Sequence, residues 1–168
     1  LYMHTKSNRL LLVEDEWGMR ISLRKILELE HFQVDEAETV QAAREKLNTA
    51  DYDVYILDLK LPDGWGVDLL EEYRDKMENK TIIITAHATI DSAVEAVKKG
   101  AFYYLEKPVD DNLLFIQIAR VIEMNRLKNT NLSFKNELVS EHFTEDIVFQ
   151  SKKMEEVVAL ASRYARGE

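Results

Sequence analysis

The chain has no cysteine among its 168 residues, which excludes disulfide frameworks and thiolate metal centres and leaves the compartment open on that ground. It also lacks an unbroken apolar stretch of the length a bilayer demands, and its opening residues do not run from basic to apolar to small as an export signal would. A soluble, cytoplasmic protein with no membrane contact is the expectation. Positive charge is scarce: 22 Lys and Arg stand against 31 Asp and Glu, for a formal net charge of -9. Such a chain has no general footprint for a nucleic-acid backbone, so any contact with DNA would fall to another region. With only 5 glycines, it has no Gly-rich phosphate loop either, and no helix-turn-helix pattern is visible. What it has is 46% hydrophobic residues, enough to bury one good core and too few residues for a second domain of ordinary size.

The chain is organised around Val54-Tyr55-Ile56-Leu57-Asp58-Leu59-Lys60-Leu61-Pro62-Asp63-Gly64. An apolar, β-branched run ends in Asp58 and a Pro62/Gly64 turn follows, which predicts a strand buried on both faces delivering one carboxylate to its C-terminal end. The same unit recurs along the chain. Arg9 to Val13 is an apolar run stopping at Glu14-Asp15-Glu16, and Trp17 to Glu30 carries Met19, Leu23, Ile26 and Leu27 on one helical face. A strand near Phe32 to Ala37 and a helix near Val40 to Leu47 come next. After the Val54 to Leu57 strand, a helix is expected from Val67 to about Met77. Thr81 to Thr85 is a fourth strand, followed by a helix from about Asp91 to Lys99 that Gly100 ends. Ala101 to Leu105 is the fifth strand, with a helix opening near Asp110.

Five alternating βα units predict an α/β fold, a doubly wound five-stranded parallel sheet of flavodoxin-like order 2-1-3-4-5 with helices on both faces. In such sheets ligands sit beyond the carboxyl ends of the strands, at the switch point between the first and third. The sequence places Glu14, Asp15 and Asp58 there, and the outer strands add Thr85 and Lys107. Converging carboxylates call for a cation, and Mg²⁺ suits oxygen ligands that leave room for water and a phosphate. An Asp carboxylate can attack a phosphoryl donor to give an acyl phosphate, with Lys107 as a second positive charge and the Thr85 hydroxyl donating to a phosphoryl oxygen once one is present. Each residue has a plainer reading when taken singly. The acids suit the start of a helix, Thr85 is a strand end, Lys107 is held extended by Pro108, and Tyr104, alternating with Phe102, is a core residue. Their joint placement favours a site.

The motifs Leu11-Leu12-Val13-Glu14-Asp15-Glu16, Leu57-Asp58-Leu59-Lys60-Leu61-Pro62-Asp63-Gly64, Ile84-Thr85-Ala86-His87 and Lys107-Pro108, in that order and spacing, resemble the receiver domain of two-component response regulators over about Arg9 to Arg126. The resemblance implies that Asp58 accepts a phosphoryl group from a sensor histidine kinase. It implies that Glu14, Asp15, Asp58 and the Lys60 backbone carbonyl hold Mg²⁺, and that Thr85 and Lys107 contact the phosphoryl group. Tyr104 would turn inward as Thr85 moves, remodelling the face of the fourth helix, fifth strand and fifth helix, and the Lys107-Pro108 bond would be cis. Glu14 stands where Asp is commoner, Trp65 where small or acidic residues are usual, and Ala88 where Gly is frequent. Lys60 and His87 occupy positions that tune the phosphoryl lifetime in that family.

Beyond the receiver-like stretch, Met124, Leu127, Asn131, Phe134 and Leu138 recur at steps of three and four, a coiled-coil seam in which Asn131 would fix the register of a parallel homodimer; a polar linker is the alternative. After a polar stretch, Ser151 would cap a helix bearing Met154, Val157, Val158, Ala161 and Tyr164 on one face and stopped by Gly167. That face needs a core the chain does not supply, and Ile147 to Arg166 resembles the opening helix of the ATPase domain of NtrC-like, sigma-54-dependent activators. The expected division is receiver at 9–126, linker at 127–146 and the start of a truncated ATPase domain at 147–168, with ATP and DNA engaged only by absent domains. As it stands the stretch is no enzyme beyond gaining and losing its own phosphoryl group. Three rivals compete. A phosphohydrolase of the haloacid-dehalogenase type wants a second Asp where Lys60 stands. A dinucleotide binder wants glycines where the acids stand. A receiver-like interaction module that is never phosphorylated would not need the intact acid set.

Overall fold

The computed structural model describes residues 7–142, with side chains through Ser133. Five parallel strands form one sheet: β1 (Arg9–Val13), β2 (Gln33–Ala37), β3 (Val54–Asp58), β6 (Thr81–Thr85) and β7 (Tyr103–Glu106). Between β3 and β6 lies a small antiparallel hairpin of β4 (Lys60–Leu61) and β5 (Gly64–Trp65). The sheet order is β2-β1-β3-β6-β7, which is the expected 2-1-3-4-5 when its five strands are numbered by themselves. The first and third strands are therefore neighbours whose helices leave in opposite directions.

Strand alternation sorts the apolar side chains onto two faces. Leu11, Val13, Tyr55, Leu57 and Ile83 face one core, covered by α2 (Val40–Thr49), α3 (Val67–Glu72), α4 (Arg74–Met77) and α5 (Ile90–Lys98). Leu10, Leu12, Val54, Ile56, Ile82 and Ile84 face the other, covered by Leu23 and Leu27 of α1 (Trp17–Leu29) and by Leu114, Ile118 and Val121 of α6 (Asp111–His142). β3 and β6 are buried along their whole length, which is why they read as continuous apolar runs; each fully buried leucine or isoleucine contributes roughly 1.5–3 kcal/mol. β2 is an edge strand, and its Gln-Val-Asp-Glu-Ala sequence is half-exposed accordingly.

Three details differ from the sequence expectation. The single helix expected from Val67 to Met77 is broken at Tyr73, whose φ of -115° and ψ of 39° leave the helical range. Its ring packs against the core and its hydroxyl donates to Asn48 Oδ1 at 3.0 Å, so the aromatic anchor rather than the helical period sets the chain there. The last strand starts at Tyr103 rather than Ala101, because Gly100 closes α5 at a φ of +106° and the chain spends two residues regaining the sheet. The Pro62/Gly64 turn was legible in the sequence, but the hairpin that it closes was not.

The chain divides into two units after Leu127. In the first, Leu114, Ile118 and Val121 lie buried against the sheet as their spacing predicts. In the second, α6 continues as helix to His142, with Asn131 and Leu132 exposed. The expected ATPase-like segment at 147–168 lies outside the described residues. Among the described residues no helix is long and apolar enough to cross a membrane.

Candidate functional site

Parallel register aligns the strand ends: Val13 pairs with Leu57 and Asp58 with Ile84. At that edge the ladder continues slightly past the strands. The Glu14 amide donates to the Ala37 carbonyl at 3.0 Å, drawing Glu14 under the edge, where it is fully buried. The Lys107 amide donates to the Thr85 carbonyl at 2.9 Å, and the Lys107-Pro108 peptide is cis as the family resemblance implied. Thus β1 and β7 each bring one charged residue to the end of β3.

The charges meet at one point. Lys107 Nζ donates to Asp58 Oδ2 at 2.7 Å and stands 2.7 Å from Glu14 Oε2. Asp58 is only 5% exposed, and its other oxygen accepts from the Lys60 amide at 3.2 Å. Glu14 Oε1 accepts from the Glu16 amide at 3.1 Å, whereas its buried Oε2 has no hydrogen bond of good angle, only its attraction to the ammonium. Burial raises the Glu14 carboxyl above its ordinary range, against the pull of Lys107. Burial works to lower the Lys107 ammonium, but the hydrogen bond to Asp58 and the attraction of Glu14 outweigh it and hold the group above its ordinary value. Asp15 is exposed beside them, and ligand oxygens of Glu14, Asp15 and Asp58 all lie within 4.8 Å of one another. One ammonium among three carboxylates leaves a surplus of negative charge that suits a hard divalent cation.

Thr85 ends β6 fully buried, its Oγ1 accepting from the His87 amide at 3.1 Å. Tyr104 is half-buried on β7, its hydroxyl 2.7 Å from Ser92 Oγ. Lys60 presents its amide to Asp58 and its side chain to solvent. The expected residues therefore fall in one region: Glu14, Asp15, Asp58 and Lys107 as a cluster, with Thr85 beside it on β6 and Tyr104 bonded to the start of α5.

Sequence reasoning overlooked three supporting residues. Arg20, 9% exposed, donates through one guanidinium nitrogen to the Glu14 carbonyl at 2.7 Å and the Asp15 carbonyl at 3.2 Å, fixing the acidic turn. Asp63 accepts from the Val40 and Gln41 amides at 2.7 and 2.9 Å, tying the hairpin to the first turn of α2. Ser92 completes the capping box of α5 with Thr89 while also bonding Tyr104. A capping box with Ser at its third helical position was a readable signal for Ser92; a buried Arg five residues past an acidic turn was not. Gly66 has a clearer reason to be glycine, since a Cβ there would sit 2.1 Å from the Asp58 carbonyl oxygen.

Comparison with known proteins agrees with this geometry. The family model for the response regulator receiver domain matches residues 10–119. The alginate biosynthesis transcriptional regulatory protein AlgB of Pseudomonas aeruginosa is 34% identical over 123 residues, which are 73% of this chain and 27% of AlgB. The chain thus spans about a quarter of that relative's length. A CheY-like receiver domain protein from Methanospirillum hungatei superposes with a TM-score of 0.69 at 28% identity, covering 73% of this chain and 99% of that one. The beryllofluoride-activated NtrC4 receiver domain, solved as a dimer, is 36% identical with a TM-score of 0.65, over 69% of this chain and 97% of its own. Sheet order, the acid and lysine cluster at the strand ends and these matches together mean that the chain belongs to the receiver domain family of two-component response regulators.

Proposed function

We propose that the domain is a phosphorylation-controlled switch in which Asp58 accepts a phosphoryl group from the phosphohistidine of a sensor histidine kinase. The observation that carries this reading is the Lys107 ammonium held 2.7 Å from both Asp58 Oδ2 and Glu14 Oε2 at the end of the sheet. A carboxylate oxygen of Asp58 forms the new P–O bond as the P–N bond to the donor imidazole breaks, and the imidazole leaves with the electron pair. Lys107 faces the side of Asp58 where phosphoryl charge arrives. The residues fit Mg²⁺: their donors are hard oxygens, and the buried Glu14 Oε2 lacks a directed hydrogen bond. Glu14, Asp15, Asp58 and the Lys60 carbonyl would hold the ion, which when bound offsets the negative charge of carboxylate and phosphoryl oxygens.

Thr85 then trades its bond from the His87 amide for a donor role toward a phosphoryl oxygen, and Tyr104 leaves Ser92 to follow it. The response is read on the face of α5, β7 and α6, where Ile90, Val94 and Val97 stand exposed at helical spacing. A homodimer through that face and through the α6 linker is the proposed output, supported by the NtrC4 receiver having been solved as a dimer. The whole protein is proposed to be a transcription regulator of the NtrC-like, sigma-54-dependent class, cytoplasmic, with ATP and DNA bound by regions outside this chain; the likeness to AlgB supports this.

The test is intact mass after incubation with acetyl phosphate and Mg²⁺, beside a metal-free sample and Asp58→Asn, with size-exclusion chromatography of each. A single adduct that requires Mg²⁺ and is missing in Asp58→Asn is expected, together with earlier elution. A folded, metal-binding protein that gains no adduct would instead be an interaction module.

A further inference from the structure

A groove of about 310 Å³ runs between β5, the start of α3 and the first turns of α5. Its floor is apolar, made of Leu59, Val67 and the indole of Trp65, and its rim carries Asp68, Asp91 and Glu95. Trp65 is 52% exposed. Lys99 reaches the rim acids and is already shared by Asp68 at 3.7 Å, Glu71 at 3.3 Å and Glu95 at 3.1 Å, while the exposed Lys60 is the register partner of Trp65. Among the described residues no ion pair reaches Asp91. An open indole face beside an unpaired carboxylate, where three further acids already share one ammonium, is built to receive a cation with a flat apolar surface.

We propose that this groove docks an arginine presented by a basic segment of a protein partner, the guanidinium lying on Trp65 and pairing with Asp91 while its alkyl stem covers Leu59 and Val67. Arginine fits better than lysine because its plane stacks on an indole and its fork pairs with a carboxylate, whereas an ammonium is a compact, strongly hydrated charge. The overall charge of -9 assists the approach of such a segment without selecting the groove. Nothing in this docking requires Asp58 to be modified, so it stands apart from the phosphoryl reading.

The experiment uses the unmodified 168-residue chain with Trp17→Phe, which leaves Trp65 as the sole tryptophan. Acetylated tri-arginine amide is titrated while indole emission is followed, with tri-lysine and tri-citrulline as matched probes, and calorimetry repeats the titration on Trp65→Ala and Asp91→Asn. Saturable quenching by tri-arginine is expected, with each substitution weakening binding by about tenfold and tri-lysine binding more weakly than tri-arginine. Equal binding to the parent and both variants would mean attraction to general surface charge and would overturn the proposal, as would equal affinity for tri-lysine or no saturable response. Both positions are exposed, and unchanged far-ultraviolet circular dichroism establishes that each variant is folded.

Discussion

Two lysines in this molecule do the same thing in different surroundings. Lys107 is shared by Asp58 and Glu14 at 2.7 Å each, with side-chain exposures of 16% for the lysine and 7% and 0% for the acids. Lys99 is shared by Asp68, Glu71 and Glu95, whose side chains are 58%, 70% and 60% exposed. Both ammonium groups are held above their ordinary pKa. For Lys99 the hydrogen bond to Glu95 is the largest influence and exceeds the opposing effect of burial, whereas for Lys107 burial is the largest single influence and two carboxylates together must overcome it. Partner count does not separate the two clusters; water does. At the exposed one, solvent screens whatever is gained or lost. At the buried one each charge depends on the others, and a change in any of them is felt throughout the site.

The contrast can be broken most sharply at the buried lysine. Lys107→Ala leaves two buried carboxylates without their cation, and urea unfolding in metal-free buffer should register a loss of about 3 kcal/mol. Mg²⁺ should restore part of that loss in Lys107→Ala and less of it when Asp58→Asn is added, because the ion would take over the neutralising role. Asp63 sits between the extremes: exposed, yet fixed to two backbone amides that, most of all the Gln41 amide, hold its carboxyl below the usual range. A lowered pKa means stability present above the unfolded value, near 3.8, and lost as pH falls through the folded one. Thermal melts of Asp63→Ala should therefore fall below the parent at neutral pH and converge with it below pH 3.8. The smallest effect belongs to Lys99→Ala, within about 1 kcal/mol, and it should shrink in ~1 M salt. A Lys99 effect equal to that of Lys107 would refute the role given to burial.

Much of this was legible in the residues. Val54–Asp58 and Thr81–Thr85 are apolar along their length because both faces are covered, and a run that continuous has few other uses in an alternating chain. Glu14, Asp58 and Lys107 were readable as a group because each ends or directly follows a strand, and parallel strands deliver their C-terminal residues to one edge. The break at Tyr73 was hidden because its cause is a contact with Asn48, 25 residues away, and helical periodicity carries no trace of such a partner. Arg20 escaped notice for a similar reason: it holds the backbone carbonyls of Glu14 and Asp15, which every residue possesses, and its carboxylate partners Glu36 and Glu38 lie on and just past the neighbouring strand, distant in sequence. The hairpin was missed because two-residue strands leave no period to count.

The Gly66 amide donates to the Leu59 carbonyl at 2.8 Å, and the Gly66 α-carbon lies so near the Asp58 carbonyl that no side chain fits between them. Residues 60–65 thus form a loop clasped at its base, with Asp63 pinning its outer side to α2. A clasp of this kind insulates. Variation at the tip is confined to the tip, while Asp58 keeps its place one residue outside the clasp. For engineering, the same clasp marks the exposed tip at Pro62 as a graft point, farther from the chemistry than Trp65, which pairs in register with the Lys60 that holds Asp58.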